Sequence, residues 1–144
     1  MTKLLSKILS GILLLLILLS AKTILFQPYD KVETDKIFKQ FENGIRTGAI
    51  KEFSNNLMSE TYISLENGVS SYFSANQSFY ILKDFLQNYK PISFRFINTN
   101  AGNEKPFAIG ELTYSKNGIR GKSQVFIALK LEDNNWKISQ IIIN

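Results

Sequence analysis

Pro91 divides this chain into two kinds of pattern. Beyond it, four alternating apolar stretches follow one another: Ile92 to Thr99, Pro106 to Ser115, Ile119 to Leu131 and Trp136 to Ile143. Alternation with period two is the mark of a strand that buries one face. It is cleanest at Val125, Ile127, Leu129 and Leu131. Asn117-Gly118 supplies the two residues that tolerate positive φ in a tight hairpin turn. Asn100 to Lys105 and Glu132 to Asn135 are polar turns. Gly110 interrupts its strand, so a bulge or bend is expected there. In the last strand Trp136, Ile138 and Ile142 fall on one face and Ile141 and Ile143 on the other, so both faces of that strand are apolar.

Ahead of Pro91 the period changes. A residue before proline is pushed out of the helical region, so a helix must end near Tyr89. Ser74 and Gln77 stand at capping-box spacing and open that helix. Ala75, Phe79, Leu82, Leu86 and Tyr89 form its apolar face, with Phe85 beside them. An earlier helix opens at Asp30 and Glu33, which share the capping-box spacing, and carries Ile37, Phe38, Phe41 and Ile45 on one side. Thr47-Gly48 breaks it. Ala49, Ile50, Phe53 and Leu57 make a second, shorter stripe, read as a second helix. Thr61 to Glu66 and Val69 to Phe73 flank Asn67-Gly68 as a short hairpin. Helices first and antiparallel strands after is an α+β order. The expected architecture is three N-terminal helices packed on the concave face of a curved, mostly antiparallel sheet of four long strands plus a short hairpin. The 144 residues suffice for one domain, here residues 30–144.

The first 21 residues differ from the rest. Lys3 and Lys7 precede the apolar run Ile8 to Leu19, and Ser20-Ala21 follow it. This is the layout of a secretory signal peptide, or of an uncleaved signal anchor if the run spans the bilayer. Residues 22–29 read as a tether. The expected location is therefore outside the cytoplasm, in the periplasm or cell envelope, with membrane contact only through an uncleaved N-terminal segment.

Composition removes much chemistry. The chain has no cysteine and no histidine. Disulfides, thiolate nucleophiles, a Ser-His-Asp triad and His-ligated zinc are all excluded. Glu132-Asp133-Asn134-Asn135 lacks the alternating ligands and distant bidentate acid of a calcium loop. No cofactor or metal is expected. Without Lys3 and Lys7 there remain 15 basic against 12 acidic side chains, and residues 90–144 hold 8 and 4 of these. No block of like charge occurs, so this reads as a solvated sheet face. Arg95 between Phe94 and Phe96 follows from strand alternation, so nucleic acid is not an expected partner.

The order helix, Gly48 break, helix, hairpin, helix and four strands resembles the nuclear-transport-factor-like (NTF2-like) cone fold, the superfamily of ketosteroid isomerase and scytalone dehydratase. More closely, "KPISFRF" (Lys90 to Phe96), "FAIGELTY" (Phe107 to Tyr114), "NGIR" (Asn117 to Arg120) and "WKISQIIIN" (Trp136 to Asn144) resemble a bacterial domain-of-unknown-function family of small exported proteins with that fold. The chain departs from that pattern at "GKSQ", where the third long strand is expected to be longer or bulged. The family implies no known reaction. Enzymes of the wider superfamily place an acid or base deep in the cone, but fold does not fix function.

Two function classes follow. The first is a non-enzymatic module that binds a small apolar ligand or a protein partner. All eleven Phe, six Tyr and the one Trp lie beyond residue 21. Phe38, Phe41, Phe79, Phe94, Phe96 and Trp136 are the expected lining residues, as solid core or as pocket. The second is an isomerase- or dehydratase-like enzyme using a buried Glu or Tyr, with Glu111 as the candidate base if it points inward. The opposite face of the strands, with Phe126, Ala128 and two isoleucines, is expected to pair two copies or to dock a partner.

Overall fold

The computed structural model describes residues 31–102 and 104–144. The signal segment 1–21, the tether 22–29 and the cap at Asp30 lie outside the described residues.

The first helix, α1 (Lys31–Thr47), buries Ile37, Phe38, Phe41 and Ile45, the stripe its spacing predicts. It ends at Gly48, whose φ of 72° is the left-handed turn that closes many helices. The expected second helix is absent. Two 3-10 turns take its place, Ile50–Glu52 and Ser54–Asn56. Ile50 and Phe53 still reach the core, because residues three apart also eclipse at three per turn. The stripe at 50, 53 and 57 therefore did not separate the two helix types. Leu57 already belongs to a strand.

The strands are β1 (Leu57–Leu65), β2 (Ser70–Ser74), β3 (Lys90–Asn100), β4 (Phe107–Lys116), β5 (Ile119–Glu132) and β6 (Asn135–Ile143). Between β2 and β3 runs the second helix, α2 (Ala75–Asn88), opened by the expected Ser74–Gln77 capping box and closed at Tyr89. All six strands form one sheet in the order β2-β1-β6-β5-β4-β3. Neighbours are antiparallel except β1 and β6, which run parallel. Among the described residues the fold is thus two helices on a six-stranded sheet, a correction of three helices on four long strands. The hairpin joins the main sheet because the backbone of β1 finds its partner on β6.

Two irregularities set the faces. Phe96 pairs with Gly110 and Asn98 with Ile109, so Ile97 is an extra residue on β3. The bulge sits opposite Gly110 rather than on it. Gly110 itself makes room: a Cβ there would lie 2.7 Å from the Phe94 ring and from the Arg95 carbonyl. On β6, Gln140 pairs with Ala128 and Ile138 with Leu129, leaving Ser139 extra. That single residue shifts the phase of the alternation. Trp136, Ile138, Ile141 and Ile143 all turn to the core, and only Ile142 faces outward. The two faces expected for β6 are therefore one core face with a step in it. At "GKSQ" β5 is longer, not bulged: it pairs with β4 residue for residue from Phe107–Ala128 to Lys116–Ile119.

Candidate functional site

The interior of the cone is an aromatic cluster. Phe41, on α1, lies 4.7 Å from Phe53, 6.1 Å from Phe94 and 6.0 Å from Phe96, ring centre to ring centre. Phe38 meets Phe96 edge-on at 5.9 Å, and Phe94 meets Phe96 at 5.1 Å. These are the separations at which aromatic quadrupoles attract. Four of the six expected lining residues, Phe38, Phe41, Phe94 and Phe96, are thus brought together, joined by Phe53. Trp136 is buried where β6 begins. Phe79 stands elsewhere, half-buried on α2 with its ring edge-on to Tyr80 at 5.2 Å. Phe41, Phe53, Leu82 and Ile127 have no accessible surface. A side chain in that state borders no space that a water molecule could enter.

Glu111 faces away from this interior. It pairs across the sheet with Gln124, and its carboxylate accepts from the Lys122 ammonium at 3.0 Å. Both side chains are largely exposed. Burial, the condition that would make Glu111 a base, is not met. Among the described residues no group of three or more Asp and Glu side chains converges to hold a metal ion.

The outer face carries a continuous apolar stripe. Ile109 stands beside Phe126, Phe107 beside Ala128, and Phe126 beside Ile142. The Phe107 and Phe126 rings stack at 6.0 Å. The stripe runs on to Tyr62 and Tyr72, a cross-strand pair at 5.2 Å. Tyr72 is 67% exposed. A groove of about 400 Å³ opens there, lined by Tyr62, Tyr72, Ala128 and Ile142 and by the polar Lys130, Ser139 and Gln140. Of the two isoleucines expected on this face only Ile142 stands here, since Ile138, Ile141 and Ile143 belong to the core.

One polar cluster was not anticipated from the sequence. Tyr114 donates to Glu66 at 3.1 Å, and Ser123 donates to the other oxygen of the same carboxylate at 2.7 Å. The Tyr114 ring meets Tyr89 edge-on at 5.0 Å. Lys116 donates to the Tyr89 hydroxyl at 2.6 Å and stands over its ring. Burial, then the Glu66 carboxylate, pushes the Tyr114 phenol above its usual range. The hydrogen bond to Tyr89 raises Lys116. The signal was Gly121, a strand glycine across from Tyr114, since such a glycine often marks a close approach.

Solved structures share this fold. A DUF4783 family protein from Bacteroides uniformis matches with a TM-score of 0.66 at 21% identity, over 74% of this chain and 94% of its own. One from Bacteroides fragilis matches at 0.63 and 20%, over 72% and 93%. An NTF2-type protein with a long sheet, Rd1NTF2_04, matches at 0.60 and 12%, over 77% and 99%. At such identities the likeness establishes the NTF2-like, cystatin-like α+β fold. No curated protein is significantly similar to the chain. The family model described as a domain of unknown function, DUF4783, matches residues 38–144, and the chain therefore belongs to the DUF4783 family.

Proposed function

We propose that this chain is an exported, non-enzymatic module whose working surface is the outer face of the sheet, and that the occupant of that face is a second copy of the chain. The observation that carries the reading is the stripe from Ile109 through Phe126 and Ile142 to Tyr62 and Tyr72. Contiguous apolar surface of this kind marks interfaces more often than solvent-facing sheet. A self-pairing face must also avoid opposing like charges. The side chains of the stripe carry none, Glu111 and Lys122 at its side form an ion pair, and Lys130, which lines the groove, is the cation that a second copy must offset or avoid. The small-ligand version has less support, because the central side chains of the cone border no free space. The enzymatic alternative lacks an inward acid or base at Glu111. Export is supported by the basic n-region, the apolar run and the small residues before Lys22.

The domain can be tested without its N-terminal segment. In the Bacteroides uniformis relative, 94% of the crystallised chain is covered by the match, so little more than this domain folds alone. Light scattering of residues 22–144 at micromolar concentration is expected to give a dimer mass, and Phe126→Glu a monomer. A wild-type protein that stays monomeric overturns the pairing.

A further inference from the structure

At the end of the sheet where β4 turns into β5, a groove of about 390 Å³ opens between Tyr114, Lys116, Asn117, Ile119, Arg120 and Gly121. We infer that this groove is a binding site for an amphiphilic organic anion: a carboxylate or phosphate ester that carries a flat or branched apolar part.

The floor and wall are built by close approach. A Cβ on Gly121 would lie 2.5 Å from the Tyr114 ring. The ring can lie over the strand only because Gly121 has no side chain. It is then fixed from two sides, by the hydrogen bond to Glu66 and by the edge contact with Tyr89. A rigid aromatic wall costs a ligand little ordering entropy. Ile119, next to the turn, is 74% exposed, which places an unshielded apolar side chain at the same groove.

The cations are placed for the other half of the ligand. Lys116 is held by the Tyr89 hydroxyl and ring rather than by a carboxylate. Arg120 has no acidic partner among the described residues. Lys122, further along, is taken by Glu111. The Glu66 carboxylate, whose charge also acts on Lys116, accepts from Tyr114 at one oxygen and from Ser123 at the other. The Lys116 ammonium stands beside the aromatic wall, and Arg120, one residue before Gly121 and so directed to the other side of the strand, borders the groove at its rim; the two cations suit a carboxylate or a phosphate attached to a ring or branched chain. The Asn117 side chain adds an amide at the rim. The described chain begins at Lys31, which packs against Gly102 at the far end of β3 and β4. The groove lies at the opposite end, about 30 Å away at roughly 3.4 Å per strand residue. It is thus remote from Lys31 and separate from the outer apolar stripe.

The test is a heteronuclear NMR titration of residues 22–144 with three probes: phenyl phosphate, inorganic phosphate and benzyl alcohol. Phenyl phosphate is expected to shift the amides of residues 114–121 saturably, and more salt to weaken it. Each of the other two probes is expected to bind at least about tenfold more weakly, since each lacks one half of the recognition. Arg120→Gln, an exposed change, is expected to weaken phenyl phosphate about three- to tenfold. Lys116→Met is expected to do the same, with the fold checked by the unchanged remainder of the spectrum. Equal binding of inorganic phosphate, shifts centred on Phe126 and Ile142, or no saturable shift at millimolar probe would each overturn the site.

Discussion

Gly44→Ala sets two effects of opposite sign against each other. Gly44 lies inside α1. Alanine in a helix interior is favoured over glycine by about 1 kcal/mol. That gain requires room for a methyl group. A Cβ at Gly44 would lie 2.6 and 2.9 Å from two carbons of the Phe53 ring and 3.0 Å from the Ala49 carbonyl. Phe53 has no accessible surface and packs at a tilt against Phe41, so the ring cannot withdraw without moving a second buried ring. Forcing an extra carbon into a closed core costs about 1–3 kcal/mol. The clash offsets or outweighs the propensity, and the net expectation is a loss of about 0–2 kcal/mol. Urea unfolding of residues 22–144, followed by circular dichroism, measures it. The cost should shrink by at least ~0.5 kcal/mol in a Phe53→Leu background, where the ring is gone. A Gly44→Ala protein more stable than wild type would refute the packing account of α1 against the 50–53 turn.

Glu111→Gln should change unfolding stability by less than about 0.5 kcal/mol, because it breaks only an exposed ion pair; the same denaturation assay checks it. The raised Tyr114 phenol should titrate late in an ultraviolet absorbance titration and return toward pH 10 in Glu66→Gln. Since its folded value lies above its unfolded one, the stability it contributes is present below pH 10 and is lost as pH climbs through the folded value. Glu132 behaves oppositely. The Ser59 hydroxyl and then its backbone N–H hold that carboxyl below 4.5, so its contribution is present above pH 4.5 and disappears on acidification below it. Glu132→Gln should therefore flatten the acid limb of an unfolding curve measured between pH 5 and 2.

What the sequence by itself determined was local. Pro91 ended α2 and began β3 because a pre-proline residue avoids the helical region. Ser74 and Gln77 capped α2, and Asn117-Gly118 made a hairpin with both residues at positive φ. The core stripe of α1 followed from period alone, and so did the inward turn of Phe94. These signals act over a few residues, so no distant partner could override them. The tertiary structure decided the rest. Whether residues 50–56 made an α-helix or two 3-10 turns depended on Leu57 being drawn into β1. The hairpin joined the main sheet because β1 pairs in parallel with β6, a contact between residues as far apart in the chain as Leu57 and Ile138. Ser139 reset the alternation of β6 and sent Ile141 and Ile143 inward, since an extra residue in one strand moves every later side chain to the other face. Glu111 was turned out and Tyr114 turned in by the register of β4 against β5 and of β3 against β4. The groove at Gly121 exists only because that register lays the Tyr114 ring over a residue without a side chain. Registers of this kind are fixed by burial summed across the whole sheet, and no short stretch of sequence contains that sum.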